Sequence, residues 1–366
     1  MTTTDTATPT TSSSPGTQPD GTPAVADRLV QVLDDGAIAV LASIGHDTGL
    51  FETLASLPPA SSRQVADAAG LDERYVREWL GGVVCAEIVE YDPAARTYAL
   101  CPEVRPFVTG PGADNLARTM RLVTLMGQVT PKVIECFRHG GGLTYADYPG
   151  FHDVQADDSA AVNDAALVDT IIPLTGLVDR LSDGIDVLDV GCGEGHAVNL
   201  LGRAFPRSRF TGFDFSTEAV AAARAEADTW GLRNVTFEER DVAALPARAF
   251  DLVTAFDAIH DQARPAAVLD AVRGALRPGG TFLMVDINAS SNLEDNVALP
   301  WGSFLYAAST LHCMAVSLGQ GGAGLGTVWG VQLAERMLRD AGFGEVALHE
   351  LEDDPFNAYF VARPAA

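Results

Sequence analysis

Residues Asp189-Val190-Gly191-Cys192-Gly193-Glu194-Gly195 decide the fold of this chain. The motif begins at the end of the predicted strand 185–190, and a helical pattern over 196–205 follows it. The three glycines let the backbone turn sharply, and they let a ligand lie against the main chain where a side chain would collide with it. A nicotinamide-binding G-x-G-x-x-G pattern would need glycine at position 196, where the chain has His196, so a dinucleotide site is not indicated.

Strands and helices alternate on both sides of this turn. Besides residues 185–190, the sequence predicts buried strands at 209–213, 235–238, 250–256 and 281–286. Helical patterns over 218–230 and 265–276 separate some of them. This alternation predicts an α/β fold with a doubly wound, mostly parallel sheet. Such sheets bind ligands at the carboxyl ends of their strands, where the glycine turn lies.

An acidic residue closes the second predicted strand. Asp214 follows residues 209–213, and a carboxylate at that position can accept hydrogen bonds from both hydroxyls of a ribose. Each hydrogen bond to a charged acceptor contributes about 1.5–3 kcal/mol. The turn and the carboxylate together predict a site for a nucleoside.

These residues resemble the class I S-adenosylmethionine-dependent methyltransferases, whose D-x-G-x-G-x-G motif matches residues 189–195 in full. The resemblance spans about residues 186–363 and implies a Rossmann-like sheet of seven strands with S-adenosyl-L-methionine as cofactor. It implies that Asp214 binds the ribose, that Asp241 lies beside the adenine, and that residues 276–280 form the turn before the fifth strand. The cofactor-binding residues that it implies are Asp189, Gly191, Gly193, Gly195, Asp214, Phe215, Asp241, Val242 and Phe256.

A closer likeness is to small-molecule O-methyltransferases that carry an N-terminal winged-helix domain. In that group a His-Asp pair follows the fourth strand, which matches His260-Asp261 here. The likeness implies that this pair is catalytic, with His260 as the general base. Base assistance typically contributes about 10²–10⁴-fold. A histidine that only bonds the backbone at a helix start is the alternative, and residues 319–330 lack the acidic residue that usually orients the base.

The first half of the chain predicts a winged-helix domain at residues 24–110. Apolar residues recur at three- and four-residue spacing over 25–44, which indicates an amphipathic helix. Ser61-Ser62 and Asp72 are suited to cap two short helices, with Gly70-Leu71 as the turn between them. Residues 86–91 and 97–100 read as two strands around a turn, which makes the wing.

Charge decides between the two uses of a winged helix, DNA binding and dimerisation. Residues 61–82 have a net charge of −1, although a helix that enters the major groove should be basic. The whole chain has 24 Lys and Arg against 49 Asp and Glu, a net charge of −25, which repels phosphate backbones and anionic lipid. We therefore expect no nucleic-acid partner and a homodimer that forms through this domain.

Residues 111–182 are predicted as a mainly helical connector. Aromatic residues in the connector and in 301–329 either line an apolar acceptor pocket or are ordinary core residues. These residues are Tyr145, Tyr148, Phe151, Trp301, Phe304, Tyr306 and Trp329. The methyltransferase likeness makes His312 part of the substrate wall. His312 and Cys313 are adjacent and lack the usual spacing of metal ligands, so no metal is expected. The glycine-rich residues 319–330 are either a lid or a connector.

Composition bounds the remaining expectations. Residues 1–23 are rich in Thr, Ser and Pro, and predict a disordered tail without the features of a secretory signal. No uncharged apolar run of about 18 residues occurs, so no membrane partner is expected. The five cysteines contain no C-x-x-C pair, which fits a reducing, cytoplasmic location.

We therefore interpret residues 183–366 as a methyltransferase domain in a cytoplasmic homodimer. The predicted reaction transfers a methyl group from S-adenosyl-L-methionine to a hydroxyl of a small, partly apolar organic acceptor. Methylation at carbon or nitrogen, or a non-methylating reaction with the same cofactor, is the alternative among enzymes. A winged-helix transcriptional regulator that senses a ligand is the alternative from another class.

Overall fold

The computed structural model describes residues 22–365, with side chains from Ala24 onward. Residues 1–21, which make up most of the predicted disordered tail, lie outside the described residues. The first helix begins at Thr22. A helical N-terminal part is followed by a helical connector and then by a large mixed sheet.

The N-terminal part is a winged helix, as predicted. Its elements are α1 (Thr22–Asp47), α2 (Leu50–Ser56), α3 (Ser62–Ala69), α4 (Glu73–Cys85), β1 (Val89–Asp92), β2 (Thr97–Leu100) and α5 (Arg105–Val108). The predicted caps are present, since the Ser61 side chain accepts the backbone N–H of Gln64 and Asp72 accepts those of Arg74 and Tyr75. These bonds satisfy amides at the starts of α3 and α4, which otherwise lack partners in a helix. Strands β1 and β2 pair antiparallel and form the wing.

Much of helix α1 is uncovered. Its apolar side chains include Leu29 and Leu33, and Leu33 is 76 % exposed. The C-terminal half of α1 packs on the other helices of the winged helix, where the indole N–H of Trp79 on α4 donates to the carbonyl of Leu41 at 2.8 Å. Within the described residues, Ala24–Asp47 is also one helix that is long and apolar enough to cross a membrane, although it contains Asp34 and Asp35.

The connector is helical, with irregular turns. It contains α6 (Leu116–Thr119), α7 (Arg121–His139), a 3₁₀ turn (Tyr145–Asp147), α8 (Phe151–Val162), a π-helical segment (Asn163–Ile171), a second 3₁₀ turn (Ile172–Thr175) and α9 (Val178–Asp183). Gly142 crosses the later chain so closely that a Cβ there would lie 2.1 Å from the carbonyl oxygen of Ala315. Only glycine fits this crossing, which fixes the start of the Tyr145–Asp147 turn.

Seven strands form one sheet in the order β5-β4-β3-β6-β7-β9-β8. They are β3 (Asp186–Val190), β4 (Arg209–Asp214), β5 (Val235–Glu239), β6 (Phe250–Phe256), β7 (Leu276–Ile287), β8 (Phe343–Leu351) and β9 (Asp354–Pro364). Strands β3 to β7 are parallel, and β9 pairs antiparallel with both β7 and β8. The predicted mostly parallel, seven-stranded fold is confirmed, with an antiparallel edge.

Helices cover both faces of this sheet. They are α10 (His196–Ala204), α11 (Thr217–Thr229), α12 (Pro265–Ala275) and α16 (Val331–Asp340). Alternate residues of a strand face opposite sides, and accordingly Leu188 packs in the core with α12 and α16 while Val187 packs in the core with α10 and α11. Because β3 lies between β4 and β6, the glycine turn, the end of β4 and the end of β6 meet at one edge.

Strand β7 starts earlier than the predicted strand at 281–286. Leu276 already pairs with Phe250, and the register shifts before Thr281 pairs with Leu252. Gly279 has a φ of +76°, which lets the strand bend within the predicted turn at 276–280. The turn implied by the methyltransferase resemblance is therefore an irregularity inside the strand.

The chain between β7 and α16 contains α13 (Leu293–Asn296), α14 (Gly302–Ala308), a π-helical turn (Ser309–Cys313) and α15 (Met314–Gly319). The glycine-rich loop that follows packs behind the His260-Asp261 segment. Ala323 donates its N–H to the carbonyl of Ala263 at 3.0 Å, and a Cβ on Gly322 would lie 2.5 Å from the Ala263 Cα. These contacts favour a packed connector over a lid.

Candidate active site

The glycine turn closes back onto strand β4. Gly191 and Cys192 donate their N–H groups to the carbonyl of Phe213, at 2.8 and 3.1 Å. A Cβ on Gly195 would lie 2.5 Å from the ring of Phe237, whereas a Cβ on Gly193 would meet no atom within 4 Å. Gly193 has a φ of +51°, and the space beside it is open to a ligand that lies against the main chain.

Asp214 is held by the same turn. Its Oδ2 accepts the N–H of Gly193 and its Oδ1 accepts the N–H of Ser216, both at 2.9 Å. Each carboxylate oxygen has lone pairs beyond the one used here. Two oriented acceptor atoms beside the open space at Gly193 fit the adjacent hydroxyls of a ribose, so the residues present suit a nucleoside.

Two further residues that the resemblance implies for the cofactor lie near the surface. The Phe215 side chain follows Asp214 and is half exposed. The Asp241 carboxylate accepts the Ala243 N–H at 2.9 Å and pairs with Arg264 at 3.1 Å. Both side chains are accessible to a ligand at this edge.

Of the other implied cofactor residues, Asp189 and Val242 are buried and Phe256 is partly buried. Asp189 accepts the hydroxyl of Thr254 at 2.6 Å, and burial raises the pKa of its carboxyl to about 7. Val242 is buried in the core with α12, and Phe256 packs against the core on the opposite face. These three residues pack in or against the core next to the carboxyl ends of the strands.

His260 lies beyond the end of β6 with only 3 % of its surface exposed. Its Nδ1 donates to Oδ1 of Asp286 at 2.7 Å. That oxygen also accepts the indole N–H of Trp329 at 2.9 Å and the N–H of Ile287 at 2.8 Å. The bond to Asp286 fixes the tautomer and leaves Nε2, 3.3 Å from Oδ1 of Asp261, as the nitrogen available for proton transfer.

Opposing effects act on the pKa of His260. Burial lowers the pKa, but the carboxylates of Asp286 and Asp261 raise it by more than burial lowers it. The pKa therefore lies well above the ordinary value of 6.5. A nearby opposite charge stabilises the imidazolium. The neutral imidazole at this position is therefore a stronger base than free histidine.

Asp257 is a further acid near His260, and the sequence leaves its role unassigned. It has a φ of +48°, a left-handed conformation that costs a non-glycine residue about 1–2 kcal/mol and that recurs at functional sites. Burial is the largest cause that raises the pKa of its carboxyl to about 7, followed by the charge of Asp286. Among the described residues its Oδ1 has no hydrogen-bond partner.

Aromatic side chains from the connector surround His312. The ring of Phe151 stacks on that of His312 with centroids 3.9 Å apart, and the ring of Tyr148 meets it edge-on at 4.9 Å. The ring of Tyr145 lies 5.8 Å from His312 and 5.3 Å from Phe215. Tyr145 therefore links the side of the site near Asp214 to the side near His312.

His312 lies on the π-helical turn, an element that recurs at functional sites. Burial lowers the pKa of its imidazole to about 4, so the ring is neutral at pH 7. No described residue bonds its Nε2. A buried polar atom without a partner is unfavourable, which marks this nitrogen as a candidate for bonding a ligand.

The remaining predicted pocket residues are dispersed. The rings of Trp301 and Phe356 contact each other at a tilt, with centroids 4.4 Å apart, and the Tyr306 hydroxyl lies 3.3 Å from Nδ2 of Asn296. Trp329 is buried in the core with α12 and α16, behind Asp286. Trp329 therefore holds Asp286, the partner of His260, instead of lining a pocket.

Sequence reasoning missed the acid that orients His260. The methyltransferase resemblance directs attention to residues 319–330, which have no acid, and Asp286 supplies one from β7. The available signal was an aspartate near the end of an apolar strand, next in sequence order to the strand that precedes His260. Parallel neighbours bring such ends together.

Two family models match this chain. Residues 36–110 match the Rv2258c-like winged HTH domain, and residues 181–349 match a methyltransferase domain. Together they cover both the winged helix and the sheet with its glycine turn.

Curated relatives align over parts of the chain. A fatty-acid O-methyltransferase of Mycolicibacterium smegmatis is 34 % identical over 28 % of this chain and 38 % of its own length. An acetylserotonin O-methyltransferase of Mus musculus is 38 % identical over 27 % of this chain and 27 % of its own length. The chain thus spans less than half the length of either relative.

Solved structures resemble the whole fold. Human N-acetylserotonin methyltransferase in complex with SAM covers 93 % of this chain and 98 % of its own, with 15 % identity and a TM-score of 0.70. The alignment with the mitomycin 7-O-methyltransferase MmcR covers 94 % of this chain and 99 % of the MmcR chain, with 17 % identity and a TM-score of 0.68. The chain belongs to the S-adenosylmethionine-dependent methyltransferases in which a winged-helix domain precedes the methyltransferase domain.

Proposed function

We propose that this protein transfers a methyl group from S-adenosyl-L-methionine to a hydroxyl of a small, partly apolar acceptor, with His260 as the general base. One observation carries the proposal. The Asp286-oriented imidazole lies beyond the end of β6, and β6 is next to the strand that leads into the glycine turn. A nucleoside site and a base therefore share one edge of the sheet.

The cofactor side of the proposal depends on Asp214 and the turn. Asp214 would hold the ribose hydroxyls, the open space at Gly193 would admit the ligand, and Phe215 and Asp241 would flank the adenine. The bound cofactor supplies an electrophilic methyl group on a sulfonium. This chain contributes position and alignment, which an in-line displacement needs most.

The base side depends on Nε2 of His260. With Nδ1–H held by Asp286, Nε2 of the neutral imidazole accepts the proton of the acceptor hydroxyl. Asp286 stabilises the imidazolium that forms, and Trp329 and Ile287 hold Asp286 in place. Asp261, 3.3 Å from Nε2, is a second carboxylate that favours the charged ring.

The acceptor side depends on the aromatic rings around His312. Tyr145 and Phe151 are partly buried and offer apolar surface, the buried Tyr148 packs with them, and Nε2 of His312 offers one neutral polar contact. Such a wall suits a planar, partly apolar molecule with one polar group besides the hydroxyl that is methylated. Trp301 and Tyr306 lie at the start of α14 and within it, just before the turn that carries His312, and are proposed as the outer part of this wall.

Methylation at oxygen is favoured over methylation at carbon or nitrogen. A hydroxyl gains from a base with a raised pKa, whereas a neutral amine does not need one. The names of the fatty-acid and acetylserotonin O-methyltransferases support the same choice.

We further propose a homodimer that forms through the exposed side of α1. The uncovered side chains of α1 continue toward Tyr75, which is 81 % exposed, and toward an apolar cavity of about 480 Å³ lined by Leu41, Ile44, Val76 and Trp79. An apolar surface of this kind favours protein association. A cytoplasmic location is proposed because the five cysteines, all within the described residues, are free thiols.

DNA and membranes are disfavoured as partners. The three arginines near the helix-turn-helix are all paired with carboxylates: Arg74 with Glu78, and Arg63 and Arg77 with Glu73. They are therefore poorly available to phosphates. Asp34 and Asp35 would each cost about 2.5–3.5 kcal/mol at the centre of a membrane span.

An activity assay tests the proposed reaction. The purified protein is incubated with S-adenosyl-L-methionine and a panel of phenols, catechols, hydroxyquinones and fatty acids, and S-adenosylhomocysteine and the methylated product are identified by mass spectrometry. His260→Ala should retain cofactor binding and lose at least about 100-fold in turnover, whereas His139→Ala, an exposed histidine on α7, should match the wild type. Unaltered turnover in His260→Ala would remove this residue as the base.

A further inference from the structure

Three side chains beside the proposed base have the composition of a metal site. His260, Asp261 and Cys313 each offer one potential ligand atom, and these atoms all lie within 4.8 Å of one another. Two of them follow β6, and the third lies on the π-helical turn that carries His312. Because these segments are far apart in sequence, no ligand spacing is visible in the chain itself.

The donor set suits a thiophilic divalent cation. Tetrahedral Zn²⁺ sites in proteins are built from three kinds of ligand atom: imidazole nitrogen, carboxylate oxygen and thiolate sulfur. Metal–ligand distances of about 2.0–2.3 Å at the tetrahedral angle put ligand atoms about 3.3–3.7 Å apart. Nε2 of His260 and Oδ1 of Asp261 are already 3.3 Å apart, and the Cys313 sulfur lies within 4.8 Å of both, so a shift of the Cys313 side chain would complete the set.

The surroundings support the same assignment. Asp286 accepts Nδ1–H of His260, an arrangement that orients metal-binding histidines and raises the basicity of the other nitrogen. Oδ1 of Asp261 is buried and has no hydrogen-bond partner among the described residues. A cation at this point would satisfy that oxygen.

We propose that His260, Asp261 and Cys313 bind a soft divalent cation such as Zn²⁺, and that the bound cation inhibits methyl transfer. The lone pair on Nε2 of His260 cannot hold a cation and accept a proton together. Binding displaces the thiol proton of Cys313 and the Nε2 proton of the protonated His260 ring, and both protons are released to solvent. The binding site stands independently of the proposed reaction, and only the inhibition depends on it.

Cobalt is a suitable probe because a thiolate bound to Co²⁺ gives a charge-transfer band in the near ultraviolet. Co²⁺ is titrated into the wild type, Cys313→Ser and Cys85→Ser, the last being an exposed cysteine in the winged helix. The band should appear in the wild type and in Cys85→Ser and be absent in Cys313→Ser. Calorimetry should show Zn²⁺ bound at least tenfold more weakly by Cys313→Ser and by Asp261→Asn.

Circular dichroism and cofactor binding establish that each variant is folded. A wild type without the band, or a Cys313→Ser protein that keeps the band and the wild-type Zn²⁺ affinity, would overturn the site. If the protein binds S-adenosyl-L-methionine but does not bind Co²⁺, only the cation site is refuted. Protein that binds Co²⁺ but not the cofactor refutes only the proposed reaction. In the activity assay, Zn²⁺ should inhibit and a chelator should restore the rate, whereas Mg²⁺ should have no effect; full activity with bound Zn²⁺ would refute inhibition.

Discussion

The 2.7 Å hydrogen bond between His260 and Asp286 joins the ends of two neighbouring strands that helix α12 separates along the chain. The bond holds the ring, assigns its tautomer and raises its pKa. The same carboxylate is anchored by Trp329. Most of the pH dependence that we expect for methyl transfer follows from this arrangement.

The first prediction concerns the pH dependence of methyl transfer. Only neutral His260 can accept a proton, so kcat/KM should fall as the pH drops below the raised pKa of His260, with the acid limb above pH 6.5. Asp286→Asn removes the charge that raises this pKa, so the limb should move to lower pH and the plateau rate should fall. A pH–rate profile of both proteins measures the shift.

Other carboxyl groups titrate in the same range and need a control. The pKa values of Asp189 and Asp257 are each raised to about 7, whereas that of His312 is lowered to about 4. Asp270→Asn, an exposed change on α12, should leave the profile unchanged. An acid limb that stays in place in Asp286→Asn would mean that another group sets it.

The second prediction compares two glycines of the turn. Gly193→Ala adds a methyl group into the open space, so it should weaken cofactor binding strongly and, at a φ of +51°, cost about 1–2 kcal/mol of stability. Gly195→Ala forces a Cβ to within 2.5 Å of Phe237, so it should destabilise the fold considerably more. Thermal melts and cofactor calorimetry separate the two effects, and equal melting temperatures with equal affinities would contradict the geometry of the turn.

The third prediction concerns recognition of the acceptor. His312→Phe keeps an aromatic ring against Phe151 and removes the unpartnered Nε2. The KM for the acceptor should rise up to about tenfold, the value of one neutral hydrogen bond, while the cofactor Kd stays constant. Thr310→Ala, which removes a hydroxyl that donates to the carbonyl of Tyr306 one turn earlier, is the matched control. An unchanged KM would exclude His312 from the acceptor site.

The sequence predicts the cofactor side of the site better than the base side. The glycine turn and Asp214 belong to one strand-turn-helix unit and the strand after it, and local chain geometry links them. Asp286 could not be assigned to His260, because their contact depends on which strands are neighbours in the sheet. The role of Trp329 depends on that same packing, and an isolated tryptophan in a sequence does not reveal it.

In the N-terminal part, too, the sequence predicts local features but not the contacts that cover a surface. Caps at Ser61 and Asp72 are local signals, and the structure has both. The amphipathic pattern of α1 predicts a helix with one buried face, yet much of its apolar surface is uncovered in the single chain. A periodic pattern identifies an apolar face but not what covers it.

The fourth prediction tests what covers that face. Leu29→Asp with Leu33→Asp puts charges at the centre of the exposed apolar side of α1. If a second copy packs there, light scattering should give twice the chain mass for the wild type and the single-chain mass for the double variant. Arg28→Ala, a polar change on the same helix, should keep the wild-type mass. A monomeric wild type would contradict the proposed dimer.

The most direct test of the account is calorimetric titration of S-adenosyl-L-methionine and S-adenosylhomocysteine into the wild type and Asp214→Ala. The proposal gives this carboxylate two charge-assisted bonds to the ribose, so the variant should bind both compounds at least tenfold more weakly. The account predicts saturable, one-to-one binding of both compounds by the wild type. Absence of binding at millimolar concentration, or equal affinity in the two proteins, would contradict it.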